Sequence, residues 1–406
     1  MRVLPLIAVL LFTSASFAVD DQRAAVATNA ARATQIAEQL KRLNDADEEG
    51  AIEYDVPAPA RPLLTDLKHA LRSLIIAQLA VTPDASAKQL SNTINTVLQN
   101  AGTRFPDDSQ GGYGWLYPVE VQKPLPGRAL ISVQATVGIA CGSDSSLYIF
   151  ELKNKKWELT LSLESNGYEE VSGAQGSLEY VVGNGPPGPW WVATANINPW
   201  CTSVWQSLRY NALQAGDDPE HPRILLSEQR GVNLNFEPAF KLKVVPHGFE
   251  LIWGGGMELD VDIMTRPLIA RYIASGEKFD RVSPYAFRPE DFLDEWVQLP
   301  WIQAQALSSQ QSNLLHSWHE VLADQKNKWQ THFDQVKRCS RNSWEIGLLT
   351  EMYEGVKRPQ TLPEELFFRI TELPAGYHVD AVATRSNPKC GWPAYQPQSQ
   401  GLDLPH

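Results

Sequence analysis

The sequence predicts an α+β protein of several domains: an N-terminal helical segment, a central antiparallel β-rich domain, and a C-terminal domain of helix plus a small antiparallel sheet. Three observations predict this. Apolar residues recur every three or four positions up to about residue 102. Short alternating runs separated by Gly, Pro and Asn fill residues 109–283, and both patterns occur in residues 284–392. A length of 406 residues favours two or three domains.

Residues 1–18 have the three parts of a secretory signal peptide. Arg2 is a short basic start, residues 3–12 are an apolar run, and the small residues 14–18 predict cleavage after Ala18. The apolar run of about ten residues is half of the roughly 20 needed to span a bilayer, so a cleaved signal is favoured over an anchor. We expect an exported protein, periplasmic or extracellular, with no transmembrane segment after cleavage.

Residues 19–108 are predicted to be helical. The first apolar residues share one stripe: Val26, Ala30, Ala33, Ala37 and Leu40. A second helix continues the spacing over residues 64–75, and a third is expected to open at Pro83 and Asp84 and to stop at Gly102. The first helix either packs on its own domain or serves as an arm that binds a partner.

Residues 109–283 read as short strands, which predicts a sandwich or an open meander. No clean repeat of about 40 residues is visible, which disfavours a full propeller. The clearest strand alternates apolar and polar residues after a tight turn at Asn154, and its apolar members are expected to form one dry face. Those members are Trp157, Leu159, Leu161 and Leu163. A second hairpin is predicted to turn at residues 246–248.

Residues 284–392 combine helix and strand signals. Residues 289–298 predict a short helix that begins with proline and ends before Pro300. Apolar residues spaced by three, four and seven then predict one long amphipathic helix from Leu315 to Val336. Later alternating runs predict the strands of a small sheet, and residues 393–406 are expected to form a loose tail.

All four cysteines follow the predicted cleavage site. An even count in an oxidising compartment predicts two disulfide bonds, and three pairings are open. We favour Cys141–Cys201 and Cys339–Cys390, because each pair falls within one predicted domain. Neither a Cys-x-x-Cys motif nor a His/Cys metal spacing is present.

The formal net charge of −12 argues against nucleic acid as a partner, because phosphate binding needs clustered Lys and Arg. Removal of the signal, which contains Arg2, makes the chain more acidic still. Adhesion to anionic lipid is disfavoured for the same reason. The expected partner is a protein or a glycan.

Two stretches resemble a group of uncharacterised exported bacterial proteins. The first is Trp200-Cys201-Thr202-Ser203-Val204-Trp205-Gln206-Ser207-Leu208-Arg209-Tyr210. The second runs from Arg281-Val282-Ser283-Pro284 through Asp291-Phe292-Leu293-Asp294-Glu295-Trp296 to Pro300-Trp301. The resemblance implies an envelope or secreted location, and it implies no activity, cofactor or catalytic residue.

Residues 183–188 formally match the glycine pattern of dinucleotide-binding loops. Phosphate binding there needs free backbone N–H groups at the start of a helix, whereas this stretch contains Pro186 and Pro187 and leads into a strand. We therefore predict a stiff loop and no cofactor. The serine-hydrolase elbow, the P-loop and the zinc-protease helix motif are absent from the sequence.

Glu258, Asp260 and Asp262 alternate along a predicted strand, which places three carboxylates on one face. Hard cations such as Ca²⁺ take oxygen ligands, so these residues are weak metal candidates. One strand cannot surround an ion, and a wet sheet face is the favoured interpretation.

Two further groups of ionisable residues lie on predicted helices. His316 and His319 are spaced to reach one metal ion, but they lie off the apolar stripe of their helix and are expected on its solvated side. Asp291, Asp294 and Glu295 are likewise assigned to the charged side of their helix.

The chain contains 13 tryptophans, some of which occur in pairs near Gly/Pro loops. Trp190, Trp191, Trp200 and Trp205 are candidates for an aromatic surface, because flat aromatic faces suit sugar rings and extended peptides. The alternative is that most tryptophans fill the cores of small β-rich domains.

Three functions follow as hypotheses. The first and favoured one is an exported binding or structural protein without catalysis, its biochemical activity unknown. The second is a secreted glycan hydrolase, which would place two carboxylates beside an aromatic groove. The third is an envelope protein–protein interaction module that uses the N-terminal helices. The sequence leans against an enzyme.

Overall fold

The structure is a computed structural model that describes residues 6–44, 54–107, 112–186, 188–257, 259, 265–309, 312–323 and 329–395. It divides into two compact units, Met1–Gln229 and Arg230–His406, and each is described by itself. The predicted domain boundaries after residues 108 and 283 stay predictions.

The predicted fold class is confirmed, with N-terminal helices, a central antiparallel β-rich region, and C-terminal helices with a small antiparallel sheet. The helices are α1 (Leu6–Asn44), α2 (Ala60–Val81), α3 (Ala87–Asn100), α4 (Pro289–Gln298), α5 (Trp301–Ala306) and α6 (Ser312–Ala323).

Seventeen strands are described. Those up to β8 are β1 (Glu120–Gln122), β2 (Leu130–Ile139), β3 (Gly142–Lys153), β4 (Lys156–Leu163), β5 (Ser177–Asn184), β6 (Trp190–Ile197), β7 (Trp205–Gln214) and β8 (Arg223–Asn233). The later ones are β9 (Phe240–Val245), β10 (Gly248–Gly255), β11 (Arg266–Ser275), β12 (Lys278–Val282), β13 (Trp329–Ser340), β14 (Ser343–Met352), β15 (Glu365–Leu373), β16 (Gly376–Ala383) and β17 (Gly391–Tyr395).

The strands form four sheets, ordered β1-β2-β3-β4, β5-β6-β7-β8, β12-β11-β10-β9 and β16-β15-β14-β13-β17. Neighbours in each sheet are consecutive in sequence except at β17, which adds beside β13. Within the sheets, the chain therefore follows the predicted meander. β17 includes the first three residues of the predicted loose tail, which corrects that boundary. Residues 396–406 lie outside the described part.

In the first unit, α1, α2 and α3 pack on one face of the β1–β4 sheet. Ile131, Val133 and Tyr148 from the sheet share a core with Leu71 and Ile94 from the helices. Ser86 caps α3 in a capping box with Gln89, so the helix begins after the predicted Pro83 and Asp84.

The opposite face of the β1–β4 sheet packs on the β5–β8 sheet. Leu147 and Ile149 of β3 share a core with Leu178, Val192 and Leu213. Each sheet is thereby covered by apolar side chains of the other, which is sandwich packing.

The predicted single dry face of β4 is wrong. The register between β3 and β4 shifts at Thr160, so that Leu161 pairs with Ile149 while Leu159 pairs with Phe150. Such a bulge turns the residues on either side of it to opposite faces. Trp157 and Leu159 accordingly pack on the helical side, whereas Leu161 and Leu163 face the second sheet.

The apolar stripe of α1 is buried against its own unit. Val26, Ala30 and Leu40 are almost fully shielded from solvent. Gly114 permits this packing, since a β-carbon at that position would lie 2.3 Å from the carbonyl oxygen of Ala37. The stripe is therefore not available to a partner, which removes the support for α1 as a binding arm.

In the second unit, α4 and α6 pack on the β13–β17 sheet. Phe292 and Trp296 of α4 and Leu315 of α6 share a core with Ile346 and Phe368 of the sheet. The helix predicted over residues 289–298 is confirmed with those bounds as α4. Among the described residues, no helix combines the length and apolar character needed to cross a bilayer.

The long helix predicted from Leu315 to Val336 is wrong. α6 ends at Ala323, and β13 begins at Trp329. Trp329 and Phe333 point inward with the period of a strand, and a register shift between Phe333 and Val336 brings Val336 back to the same face. A strand with this shift produces apolar spacings of four and three, which imitate a helix.

Both disulfide pairs match the predicted pairing. Cys141 is bonded to Cys201 and Cys339 to Cys390, with sequence separations of 60 and 51 residues. All four cysteines belong to the described residues, and each is paired.

Candidate functional site

An open apolar groove lies on the second unit between α6 and the segment that follows β14. Its volume is about 650 Å³, within the range of roughly 300–1,000 Å³ typical of ligand sites. It is lined by Leu314, Ser317, Trp318, Glu320, Val321, Trp329, Pro359, Thr361 and Leu362.

The α6 wall of the groove is apolar because α6 has more apolar residues than its buried face requires. Leu315 and Leu322 point into the core and are almost fully buried. Leu314 and Val321, on the adjoining side of the helix, remain 52% and 39% exposed, with the half-buried Trp318 between them. Leu314 and Val321 face the groove, and Trp318 lines it while also packing against the core.

The opposite wall is formed by Trp329 at the start of β13 and by a turn in which the N–H of Leu362 donates to the carbonyl of Pro359. Arg358 fixes this turn by donating to the Pro363 carbonyl at 2.9 Å and to the Thr350 carbonyl at 2.6 Å. The wall is thus tied to the sheet by charge-assisted hydrogen bonds.

The polar groups of the groove are few. Ser317 and Thr361 contribute hydroxyls, and Glu320 is the only charged lining residue among those that the structure describes. Glu320 is exposed and lies 3.3 Å from Nε2 of His316, whose ring stacks on Trp301. The groove therefore offers a largely apolar surface with one acidic group.

His319 of α6 is not on the solvated side of the helix as predicted. It is buried, and its Nε2 lies 3.0 Å from the Leu299 carbonyl and 3.2 Å from the Trp296 carbonyl, which requires the proton on Nε2. Burial lowers the pKa of His319 despite these two carbonyls. Its ring packs edge-on against the Trp296 indole, so His319 joins α6 to α4.

The acidic residues of α4 are also buried, which corrects their assignment to a solvated helix face. Asp291 lies 3.4 Å from Arg266, Asp294 pairs with the same guanidinium, and Glu295 pairs with Arg281. Burial by itself would raise the pKa of Glu295, but the Arg281 guanidinium outweighs this effect and holds the pKa below its usual value. These carboxylates join α4 to β11 and β12.

A further buried ion pair lies in the first unit. Lys68 of α2 contacts Asp144 of β3 at 2.7 Å, and both side chains are almost fully buried. Asp144 also accepts hydrogen bonds from Ser165 and Tyr168. Burial raises the pKa of Tyr168 well above its usual value, with Asp144 adding to the effect. The cluster joins α2 to the β1–β4 sheet.

A smaller cavity of about 460 Å³ in the first unit contains carboxylates beside a tryptophan. Lys153 lies 3.5 Å from Glu151 and 3.8 Å from Glu158, so one ammonium group serves both carboxylates. Trp190 lines this cavity but is only 3% exposed, and offers no platform for a sugar ring. The cavity therefore places lysine-paired carboxylates beside a buried indole rather than beside an exposed aromatic face.

The aromatic surface predicted from four tryptophans is wrong for two of them. Trp190 and Trp191 are buried strand residues, at 3% and 1% exposure. Trp205 is exposed, and the partly exposed Trp200 packs on Tyr54 with ring centroids 4.4 Å apart. Only Trp200 and Trp205 therefore lie at the surface.

The glycine-rich segment at 183–188 joins two antiparallel strands, β5 and β6. The Trp191 indole lies over Gly183, where a β-carbon would be 1.9 Å from the ring. The glycine at this position makes room for an indole rather than for a pyrophosphate.

The metal candidates Glu258, Asp260 and Asp262 lie outside the described residues. Within the part of the chain that the structure describes, no group of three or more His, Cys, Asp or Glu side chains could hold a metal ion. His316 is paired with Glu320, and His319 is engaged by backbone carbonyls, so the two histidines do not share a site.

A scan against protein-family models finds no match to the chain, and a search of curated proteins finds no relative. The resemblance to uncharacterised exported proteins remains an expectation. The proposed function therefore rests on the geometry of the molecule.

The groove was not predicted from the sequence. Its walls come from α6, from β13, which follows α6 closely, and from a turn beyond β14, and the predicted long helix would have merged the first two. One signal was present, because Leu314 and Val321 are apolar residues beside the stripe that continues through Leu315 and Leu322.

Proposed function

We propose that this chain is an exported, non-catalytic binding protein whose ligand occupies the groove between α6 and the 359–362 turn. One observation carries the proposal: Leu314 and Val321 are exposed within a concave apolar site of about 650 Å³. Covering exposed apolar surface is worth about 25 cal/mol per Å², so a ligand that fills the groove gains free energy from the contact itself.

The charged residues support binding rather than catalysis. A general acid or base must be free to exchange a proton near the substrate. Asp291, Asp294 and Glu295 are instead neutralised by arginines in the interior. Among the described residues that line the groove, Glu320 is the only carboxylate.

Export is proposed from two independent features. Residues 1–18 have the pattern of a cleaved signal, and both cysteine pairs are at bonding distance. Reducing cytosols keep such thiols unpaired, whereas periplasmic and extracellular proteins retain disulfides. Expression of the full chain in a bacterial host should yield a mature protein that begins at Val19, as read by N-terminal sequencing. A product that keeps Met1 would contradict export by cleavage.

The binding proposal is tested with a neutral apolar dye, N-phenyl-1-naphthylamine, whose fluorescence rises on transfer from water. The mature wild type should bind about one equivalent per chain. Leu314→Asp and Val321→Asp should each weaken binding about tenfold or more, because a charge in the groove must be desolvated when the ligand enters.

Leu373→Asp is the matched control, since Leu373 is similarly exposed at 46% but does not line the groove. It should bind the dye like the wild type. Circular dichroism and thermal unfolding confirm that the variants are folded. Unchanged dye binding by both groove variants would overturn the proposal.

A further inference from the structure

The groove has a helical wall with a defined apolar stripe. Leu314, Trp318 and Val321 are spaced i, i+4 and i+7 on α6, which places them on one side of the helix over about two turns, roughly 10 Å. This is the spacing with which one helix presents a ridge to another. The groove is therefore shaped by helix geometry along its length.

The backbone of that wall excludes one mode of peptide binding. An extended peptide gains affinity by adding a strand to an open sheet edge, where backbone N–H and C=O groups are free. The interior backbone groups of α6 bond within the helix, so this wall offers side chains only. A ligand that lies along it has to satisfy its own backbone, as a helix does.

Charge defines the polar side of the ligand. Among the described residues that line the groove, Glu320 is the only charged one, and the whole chain has a formal net charge of −12. Glu320 and the acidic chain as a whole attract a cationic group on the ligand and repel an anionic one.

We infer that the groove takes an amphipathic helix from a partner protein, with apolar residues at i, i+3 or i+4, and i+7, and a basic residue beside them. The inference rests on the proposed function and names the ligand class of the same site. Partner residues opposite Leu314 and Val321 fill the groove, and a Lys or Arg of the partner contacts Glu320.

The test uses three synthetic peptides of about 14 residues, long enough for nearly four helical turns. The first places leucines at helical spacing with lysines on the other side. The second has the same composition rearranged to alternate leucine and lysine, and the third replaces lysine by glutamate. Affinity for the mature full-length protein is measured by fluorescence anisotropy, and circular dichroism reports helix formation in the peptide.

The first peptide is expected to displace the naphthylamine dye, to gain helix on binding, and to bind at least about tenfold more tightly than either of the others. Leu314→Asp should abolish its binding. Glu320→Lys should reverse the preference between the lysine and glutamate peptides while the protein stays folded, because Glu320 is exposed.

Two results overturn the inference while the proposed function stands. In one, the helical and alternating peptides displace the dye equally well. In the other, the lysine and glutamate peptides bind equally. If the dye itself fails to bind the wild-type groove, the proposed function fails and the inference fails with it.

Discussion

At the scale of single residues, burial determines how strongly the loss of one charge in an ion pair destabilises the fold. The Lys68–Asp144 pair is shielded almost completely, whereas the Arg32–Asp66 pair has more than half of each side chain exposed. When a buried pair loses one member, an uncompensated charge stays in the interior. When an exposed pair loses one member, water solvates the charge that remains. The same type of contact therefore has different consequences in the two places.

We expect Lys68→Met to lower the free energy of unfolding by about 3–5 kcal/mol, because Asp144 would remain buried without its cation. Arg32→Met is the control and should change it by less than about 1 kcal/mol. Urea unfolding followed by circular dichroism measures both. Equal effects of the two substitutions would show that burial does not govern this pair.

His319 should make stability depend on pH. The folded protein holds the pKa of His319 below its ordinary value because the ring is buried, whereas an unfolded histidine titrates near 6.5. Below about pH 6.5 the unfolded chain binds a proton that the native ring does not take. The free energy of unfolding therefore falls as pH falls, until the lowered native pKa is reached. The slope from this residue is at most about 1.4 kcal/mol per pH unit.

Urea unfolding at pH 7.5 and pH 5.5 tests this expectation. The wild type should lose more stability over this interval than His319→Gln, whose amide can still donate to the Leu299 carbonyl. An identical loss in wild type and His319→Gln would contradict the role given to burial.

At the scale of elements, sequence patterns were reliable where the structure is regular and misleading where a strand contains a bulge. α4 has the predicted bounds because its signals are local: a proline at its first position, acidic residues in its first turn, and Pro300 just beyond its end. β4 and β13 each contain a register shift that changes which residues share a face. The shift depends on the partner strand, so it cannot be read from one strand alone.

The packing of α1 on the loop before β1 makes an element-scale prediction. Gly114 and Gly127 both have φ of +80°, so alanine costs each about 1–2 kcal/mol for the left-handed conformation. Only at Gly114 would the new β-carbon also meet the backbone of α1. We expect Gly114→Ala to be about 1–3 kcal/mol more destabilising than Gly127→Ala.

Thermal and urea unfolding of the two glycine variants measure this difference. Gly127 has nothing within 4 Å of the added atom, so its variant reports the cost of the conformation alone. Indistinguishable variants would mean that α1 does not press on Gly114.

At the scale of the whole molecule, one disulfide crosslinks each compact unit. The loops closed by Cys141–Cys201 and Cys339–Cys390 span 60 and 51 residues. Loops of this size predict roughly 4 kcal/mol of stabilisation from the restricted unfolded chain. An oxidising compartment is what permits that stabilisation.

We therefore expect Cys141→Ser combined with Cys201→Ser to lower the free energy of unfolding by about 4 kcal/mol or less. Urea unfolding measures the loss, and a tryptic map without reductant should contain the two linked peptide pairs. A map that links Cys141 to Cys339 or to Cys390, or native thiols that react with iodoacetamide, would refute the pairing.

The sequence by itself determined the features that depend on neighbours along the chain. These are the helical and β-rich regions, the tight turns and the bounds of α4, because periodicity and capping are local properties. Only the tertiary structure decided that Trp191 and His319 are buried, that the α4 carboxylates meet arginines, and that α6 and the 359–362 turn enclose a groove. Burial and concavity come from distant segments packing together, and no single stretch of sequence records which segments will meet.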